Sequence, residues 1–564
     1  MRFLLLLLAC LCSPLAECAN DAFQTMRRGG LTGGLWQDAG LPGLAGTILT
    51  NQTIYTNVPL LATAADLEAV MNNCPSNQVI VLTNGVYTMT DAGGRLELTK
   101  NGVIIRGRTD AQGNPTTQIS GLTIWLGAWG DSTHKWPFDS LGASINVNSG
   151  LTPGSTSITL ASAPNADITV GDTFMIDQND DGSKVFNSTV SLVRRSGRNY
   201  NFMAMVTNIS GSTIQFTPPL LGNYWAAAQD PEAFGWTTTA GTTYKAIGLE
   251  NVVVTNGTSS EAMIGMGRAY GCWLRNVRVV KFQAASRAIE FRSCVNCYMR
   301  DSVVADQVGT VDNNSYAHYM VGASYCAIEN NIFTNLALAC PSVNAVGCSW
   351  GFNVAFGPSV YNPSTWNPEY FFPHGGHGYA DLFEGNWLFG PIFLDDIFLG
   401  NNSQIAIVRN RLAGWLNGKT SDCKAFIFGQ DNGGNHNTNT VLGNVMGYPG
   451  FHTTYASVFS IDAGVVGSIV TNNYNVADDG INSAETMSAD TMLSSYRFTT
   501  QPEWWGDRQW PAFSPTAVAT NVLYYTNLPA GYRSVYGEWP PAAAQGGGGQ
   551  SIPPKLNSRI RLKR

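Results

Sequence analysis

Segments such as GLENVVVTN, WLRNVRVVK, YMRDSVVAD, AIENNIFTN and LFEGNWLFG can be laid over one another, and the column they share leaves few folds open. It contains Asn251, Asn276, Asp301, Asn330, Asn353, Gly385, Asn410, Gly443 and Asn472, at spacings of 25, 25, 29, 23, 32, 25, 33 and 29 residues. Asn and Gly tolerate the left-handed backbone of a tight bend, and Asn can hydrogen-bond along a stack. Two positions earlier stand Leu249, Leu274, Met299, Ile328, Gly351, Phe383, Val408, Val441 and Val470. Three positions later the residues are again apolar, from Val254 to Met446. A strand, a bend and a second strand repeated each turn, with apolar inner faces, describe a parallel β-solenoid. Its coils should lie about 4.8 Å apart.

The same alignment predicts what neighbours what. Cys272, Cys297 and Cys326 fall four positions before the column with inward parity. Their spacing allows a disulfide, but an interior thiol stack is the preferred expectation. Glu250, Arg275, Arg300, Glu329, Glu384 and Arg409 stand one position before the column and should point outward as a surface charge ladder, Glu384 facing Arg409.

The ends carry other signals. The chain opens MRFLLLLLACLCSPLAECAN. Its apolar run is about half the roughly 20 residues that a membrane-spanning helix needs, so residues 1–18 are expected to be a secretory signal. A lipoprotein anchor at Cys18 is the alternative. No later segment is apolar enough to span a membrane, so an exported protein with eight remaining cysteines is expected. A net charge of −7 with 13% charged residues argues against a nucleic-acid partner. Residues 140–235 lose the repeat and read as short strands between Gly, Pro and Asn turns, a small β-domain inserted between the first coils (within 19–139) and the main helix of 236–500. Residues 501–545 should cap the last coil, and 546–564 form a flexible basic tail.

The pieces NQVIVLTNGVYTM and GVIIRGRTDAQGNPTTQISG, with the Asn column, resemble the pectate-lyase-like right-handed parallel β-helix superfamily over roughly residues 60–125 and 245–480. The resemblance implies an all-β, right-handed parallel β-helix acting on carbohydrate. It leaves the reaction open, because such a fold hosts several.

Candidate chemistry gathers in FFPHGGHGYADLFEGNW, inside a 32-residue repeat, and in the next repeat's FLDDIFLGNN. Long loops on a rigid scaffold are where binding and catalysis concentrate. Asp395 and Asp396, placed just before a strand, with Asp396 in one column with Arg287 and Tyr316, are the candidate acid and base of glycoside hydrolysis, with His374 and His377 about one coil away. Asp395-Asp396 and Gly376-His377-Gly378 echo polygalacturonase-like β-helices in reversed chain order, without the Arg-Ile-Lys element. Trp366, Tyr370 and Trp387 are candidates for stacking on sugar rings, as are Phe371, Phe372 and Trp415. Lys281, Arg287 and Arg411 are candidate cations for substrate. Lys281 or Arg287 would serve a uronate lyase, the second expectation, and a non-catalytic binding or adhesion solenoid is the third. Hydrolysis requires no cofactor. Zinc on His374, His377 and Asp381 is a competing use of that stretch. Asp177, Asn179 and Asp181 before Gly182 match the start of a Ca2+ loop, without the Glu that usually closes it.

Overall fold

The structure, a computed structural model, describes residues between 52 and 536; the longer stretches outside the described residues are 1–51, 128–140, 186–194, 357–370, 430–438, 482–494, 514–527 and 537–564. The expected leader, the basic tail, Trp366 and Tyr370 fall outside them.

The chain is a right-handed parallel β-helix built from three long sheets. Sheet A runs from Ile54–Val58 to Ile469–Thr471 and sheet B from Gly85–Thr88 to Gly480–Ile481; sheet C runs from Arg95–Leu98 to Phe459–Ile461. In sheet A the inner column is Leu249, Leu274, Met299, Ile328, Trp350, Phe383, Ile407, Val441 and Val470. A helix, Ala64–Asn73, turns Ala64, Leu67 and Met71 into the first coils, its start fixed by a Thr63–Asp66 capping box. No helix among the described residues is long and apolar enough to cross a membrane.

The register corrects the sequence alignment at two coils. The left-handed bend is made by Asn251, Asn276, Asp301, Asn330, Phe352, Gly385, Arg409 and Gly443. Asn353 and Asn410 stand one position later, in a second column inside the helix: Asn331, Asn353, Asn386, Asn410, Asn444 and Asn473. Each Nδ2 in that ladder donates to the Oδ1 of the next coil's Asn at 2.9–3.0 Å. Each also reaches a carbonyl of the preceding coil, as Asn410 does to Phe383 O at 2.8 Å. Phe352 and Arg409 hold positive φ without being Gly or Asn, which persists only where neighbouring coils over-determine the backbone.

The thiols do stack. Sulfur of Cys326 accepts from Cys297 N at 3.4 Å and sulfur of Cys348 from Cys326 N at 3.3 Å. The Asp381 carboxylate continues the column, taking Cys348 N at 2.7 Å. All eight described cysteines are free and buried. A thiol reagent is therefore expected to label none of these eight in the native protein and all eight after unfolding; a smaller count after unfolding would reveal a disulfide.

Between the early coils and the main stack, six strands spanning Ile145–Ser149 to Glu232–Phe234 close into a barrel. It docks on the corner between sheets C and A: Tyr379 Oη donates to Asn201 O at 2.9 Å, Tyr325 Oη to Pro219 O at 3.1 Å, and Asn344 Nδ2 to Asn199 O at 3.0 Å.

Of the C-terminal segment, the described residues 495–498 and 500–513 and the helix Pro529–Tyr536 lie along the flank, over the bend column. Arg533 donates to Asp301 O and to Asn276 Oδ1, and Ala530 N to Asn330 Oδ1. The expected surface charge ladder is largely buried: Arg300, Glu329, Glu384 and Arg409 lie beneath this segment, with Arg497 paired to Glu329, and Glu250 is covered by Arg106 and Trp273. Glu384 accepts Tyr496 N and Arg497 N at 2.9 Å and Ser495 Oγ at 3.0 Å. Burial pushes its carboxyl up to about 7 from an ordinary 4.5, against the pull of those donors and of Arg409. Between those pH values the folded chain holds a proton that the unfolded chain has released. The stabilisation is thus complete below pH 4.5 and lost as pH rises through about 7. The thermal midpoint for release of this strap, followed by Trp504 and Trp505 fluorescence, is expected to fall across that window, and Glu384→Gln to flatten the dependence.

Candidate active site

Sheet C carries the site on its outer face. The pairing of Phe371 with Ile392 sets the strands Phe371–Pro373 and Ile392–Leu394 side by side, and each strand ends one residue before a polar group. His374 follows Pro373 and Asp395 follows Leu394, so the register makes them neighbours. Asp395 N donates to Pro373 O at 3.0 Å, His374 N to Ser342 O at 2.6 Å, and His374 Nδ1 meets Asp395 Oδ2. An ionised carboxylate only accepts, so Nδ1 carries the proton and Nε2 is the ring nitrogen with a lone pair that can take one. The His374 side chain keeps 17% of its surface exposed against 5% for Asp395. Beyond His374 the chain passes backbone to backbone against the next coil: a Cβ on Gly375, at φ 77°, would sit 2.3 Å from Gly400 O.

Asp396 is buried at the turn immediately after the strand, not before one. It does not share a column with Arg287 and Tyr316. Counting back from the bend fails because twelve residues separate Ile289 from Asp301 while eighteen separate Ile392 from Asn410, the surplus being corner loop.

A run of rings connects this pair to a charged group higher on the same sheet. Phe372 meets His374 edge-on at 5.2 Å and Tyr316 at 6.1 Å; Tyr316 stacks on Tyr319 at 5.4 Å; and the Arg287 guanidinium lies 4.2 Å over Tyr319. Arg287, 22% exposed, and Arg292 both bond Glu290, Arg292 Nε at 2.7 Å. Burial opposes ionisation of Glu290, but the two guanidiniums outweigh it and hold the carboxyl below its ordinary range. Glu290, Arg292 and Tyr319 were not singled out from the sequence, and Tyr316 only as a column position. Reading sheet C's own register would have found them, since Glu290 pairs with Tyr319.

Other candidates are placed elsewhere. His377 is fully buried, with Nδ1 at 2.9 Å from Asn401 Oδ1, Nε2 at 3.2 Å from Ser403 Oγ, and the Tyr200 ring of the barrel 5.4 Å away. It joins barrel to helix and cannot reach a polymer. Asp381 lies inside the coils, where burial drives its carboxyl well above the ordinary range, while His374 lies outside, so the two cannot share a zinc ion. Trp387 belongs to sheet B and is buried in the cluster that holds Trp505 and Phe513 beneath the C-terminal strap. Arg411 is also on sheet B, fully buried, donating to Gly447 O at 2.9 Å, its guanidinium brought down to about 10 by burial. Neither can touch a ligand on sheet C. Trp415 packs on Tyr448 and Phe451. Lys281 is exposed but follows a sheet B strand, and the Asp306 carboxylate beneath it accepts from Asn335. The expected Ca2+ loop is filled by guanidinium groups: Arg195 and Arg198 bond the buried Asp177 carboxylate at 2.6–3.0 Å, Arg198 also bonds Asn179 Oδ1 at 2.7 Å, and Asp181 turns to Ser183. A calcium ion there would have to displace Arg195 and Arg198 from the oxygens it needs.

The architecture is a right-handed parallel β-helix carrying a barrel beside sheet C, with the His374–Asp395 pair on the outer face of that sheet. No family model and no curated protein matches the chain. Among solved structures it is similar to tailspike gp61 of Pseudomonas phage phi297, at 12% identity and a TM-score of 0.45, over 75% of this chain and 71% of that one. It is similar to tailspike gp49 of Pseudomonas phage LKA1 at 16% identity and a TM-score of 0.42, over 68% of this chain but only 56% of that one. The A-module of the Azotobacter vinelandii mannuronan C-5 epimerase AlgE6 matches at 11% identity and a TM-score of 0.31, over 73% and 94%. The fold itself stands on the three sheets of this chain.

Proposed function

We propose that the protein is an exported enzyme that cleaves a glycosidic bond of an extracellular polysaccharide lying along the outer face of sheet C. The observation that carries this is the His374–Asp395 pair: a partly exposed imidazole, oriented by a nearly buried carboxylate, at one end of an aromatic run. Asp395 fixes the tautomer; His374 Nε2 takes a proton from the attacking water, and the imidazolium so formed returns it to the leaving oxygen as the glycosidic C–O bond breaks. The expected acid–base couple is therefore not the two carboxylates alone. Asp395 acts through His374, and Asp396, buried beside it, is given no step. His377 and Arg411 have no part in this.

A β-elimination lyase is the second reading, favoured by the Arg287 guanidinium at the other end of the run, which offers a partner for a uronate carboxylate. In that case His374 Nε2 is the base. Purified protein would be incubated with a panel of neutral and uronic-acid polysaccharides while reducing ends and the absorbance of an unsaturated uronate are followed together. Reducing ends alone support hydrolysis and both signals support elimination. No product across the panel removes the enzymatic reading and leaves a binding solenoid.

A further inference from the structure

We propose that Asn402 is a positioning residue that fixes His374 against Asp395 and so aligns the imidazole for proton transfer; this rests on the reading of that pair given above. Asn402 is fully buried, and its Nδ2 donates to Pro373 O at 3.2 Å and, at a longer 3.4 Å, to Asp395 O. Those two carbonyls bracket the pair. Pro373 immediately precedes His374, and the second carbonyl belongs to the carboxylate's own residue. One amide thus ties together the backbones of two successive coils at the point where both strands end.

A tie is needed there because regular strand pairing stops. Among the described residues, the backbone bond across these coils that follows Asp395 N to Pro373 O is Gly376 N to Leu399 O at 2.7 Å, beyond the corner loop. His374 and Asp395 lie just past the ends of their strands, where a side-chain tie adds to those backbone bonds.

The donor is itself held. Asn401 Nδ2 donates to Lys184 O of the barrel at 2.8 Å, and Asn401 and Ser403 grip the two ring nitrogens of the buried His377. Ser403 N donates to Gly378 O at 3.0 Å. The tripeptide Asn401-Asn402-Ser403 is anchored to the barrel on one side and to His377 on the other, with the Asn402 amide aimed at the reactive pair. His377, excluded from chemistry by burial, so contributes to the site through the segment it fixes. A displacement near 1 Å at a proton-transfer group can cost about 10²-fold in rate.

The test uses the full chain with 15N-labelled histidine. The ring Nδ1–H of His374 resonates downfield while it is donated to a carboxylate, and its signal is assigned by its loss in His374→Gln. In Asn402→Ala that resonance is expected to shift upfield or broaden. The kcat on the cleaved polysaccharide is expected to fall about 10²-fold with KM little changed. Asn402→Ser, which retains one donor, should lie between. Should Asn402→Ala fail to fold, the serine variant decides. Folded variants that keep both the resonance and kcat would overturn the proposal. A wild-type protein that cleaves nothing removes the enzymatic reading, but the resonance still reports whether Asn402 sets the pair.

Discussion

Asp395→Asn is expected to lower kcat about 10²–10⁴-fold on whichever polysaccharide the wild-type protein cleaves, with KM nearly unchanged. The replacement is almost isosteric, so the coil should fold and the far-UV spectrum should not change. What changes is the partner of His374 Nδ1. A carboxylate can only accept, whereas an amide can turn its NH2 toward the ring and favour the tautomer whose Nε2 bears the proton. It also withdraws the negative charge that stabilises an imidazolium formed during reaction. The loss should therefore fall on kcat. His374→Gln should be comparably damaging, and combining the two should cost little more than either alone, since both remove one unit. His377→Gln in the same assay separates a reactive histidine from a structural one: it should lower the thermal midpoint and cost kcat far less than His374→Gln does, since it acts only through the segment that holds Asn402. Full activity in Asp395→Asn, with the variant folded, is the result that sinks the assignment of this pair.

The sequence made the β-helix legible because coil closure forces an apolar inner column and a bend residue on each turn, and both survive changes in coil length. It blurred where two adjacent columns use the same residue type. The bend accepts Asn for its left-handed backbone, and the ladder one position later uses Asn for its amide. Where Phe352 and Arg409 occupy the bend, Asn353 and Asn410 beside them attracted the alignment. The parity that turns Glu384 away from the core was read correctly, yet it implied solvent where the chain supplies a strap from more than a hundred residues later. Short-range spacing misled in the same way at Asp177: a loop with calcium-like donors is closed by Arg195 and Arg198, which no local motif announces. The candidate site was half legible. Gly-flanked histidines and an acidic pair marked the two coils that carry the His374–Asp395 pair, but which histidine meets which carboxylate depends on the strand register. The corner insertions hide that register from any count of residues.

The interior Asn ladder is where a single substitution should cost most in stability. Asn410→Ala removes the Oδ1 that receives both Asn386 N and Asn386 Nδ2, and the Nδ2 that serves Asn444 Oδ1 and Phe383 O. All of these atoms are sealed from water by residues with no measurable exposure. Leaving a buried donor or acceptor unsatisfied costs roughly 1–3 kcal/mol, so two orphaned donors on Asn386 alone place the expected loss at about 3–5 kcal/mol. Replacing both Asn386 and Asn410 with Ala should cost less than the sum of the single changes, because the second substitution deletes one of the orphans made by the first. Solenoid stability is close to a sum of coil and nearest-neighbour terms, so the damage should stay local. Amide exchange should accelerate in the coils from Asn353 to Asn444 and remain slow near Asn251. A drop in the thermal midpoint no larger than that of an exposed Asn→Ala change, with Asn386 still protected from exchange, would mean that water or a shifted coil replaces the lost amide. The ladder would then record the register of the stack without being what holds it.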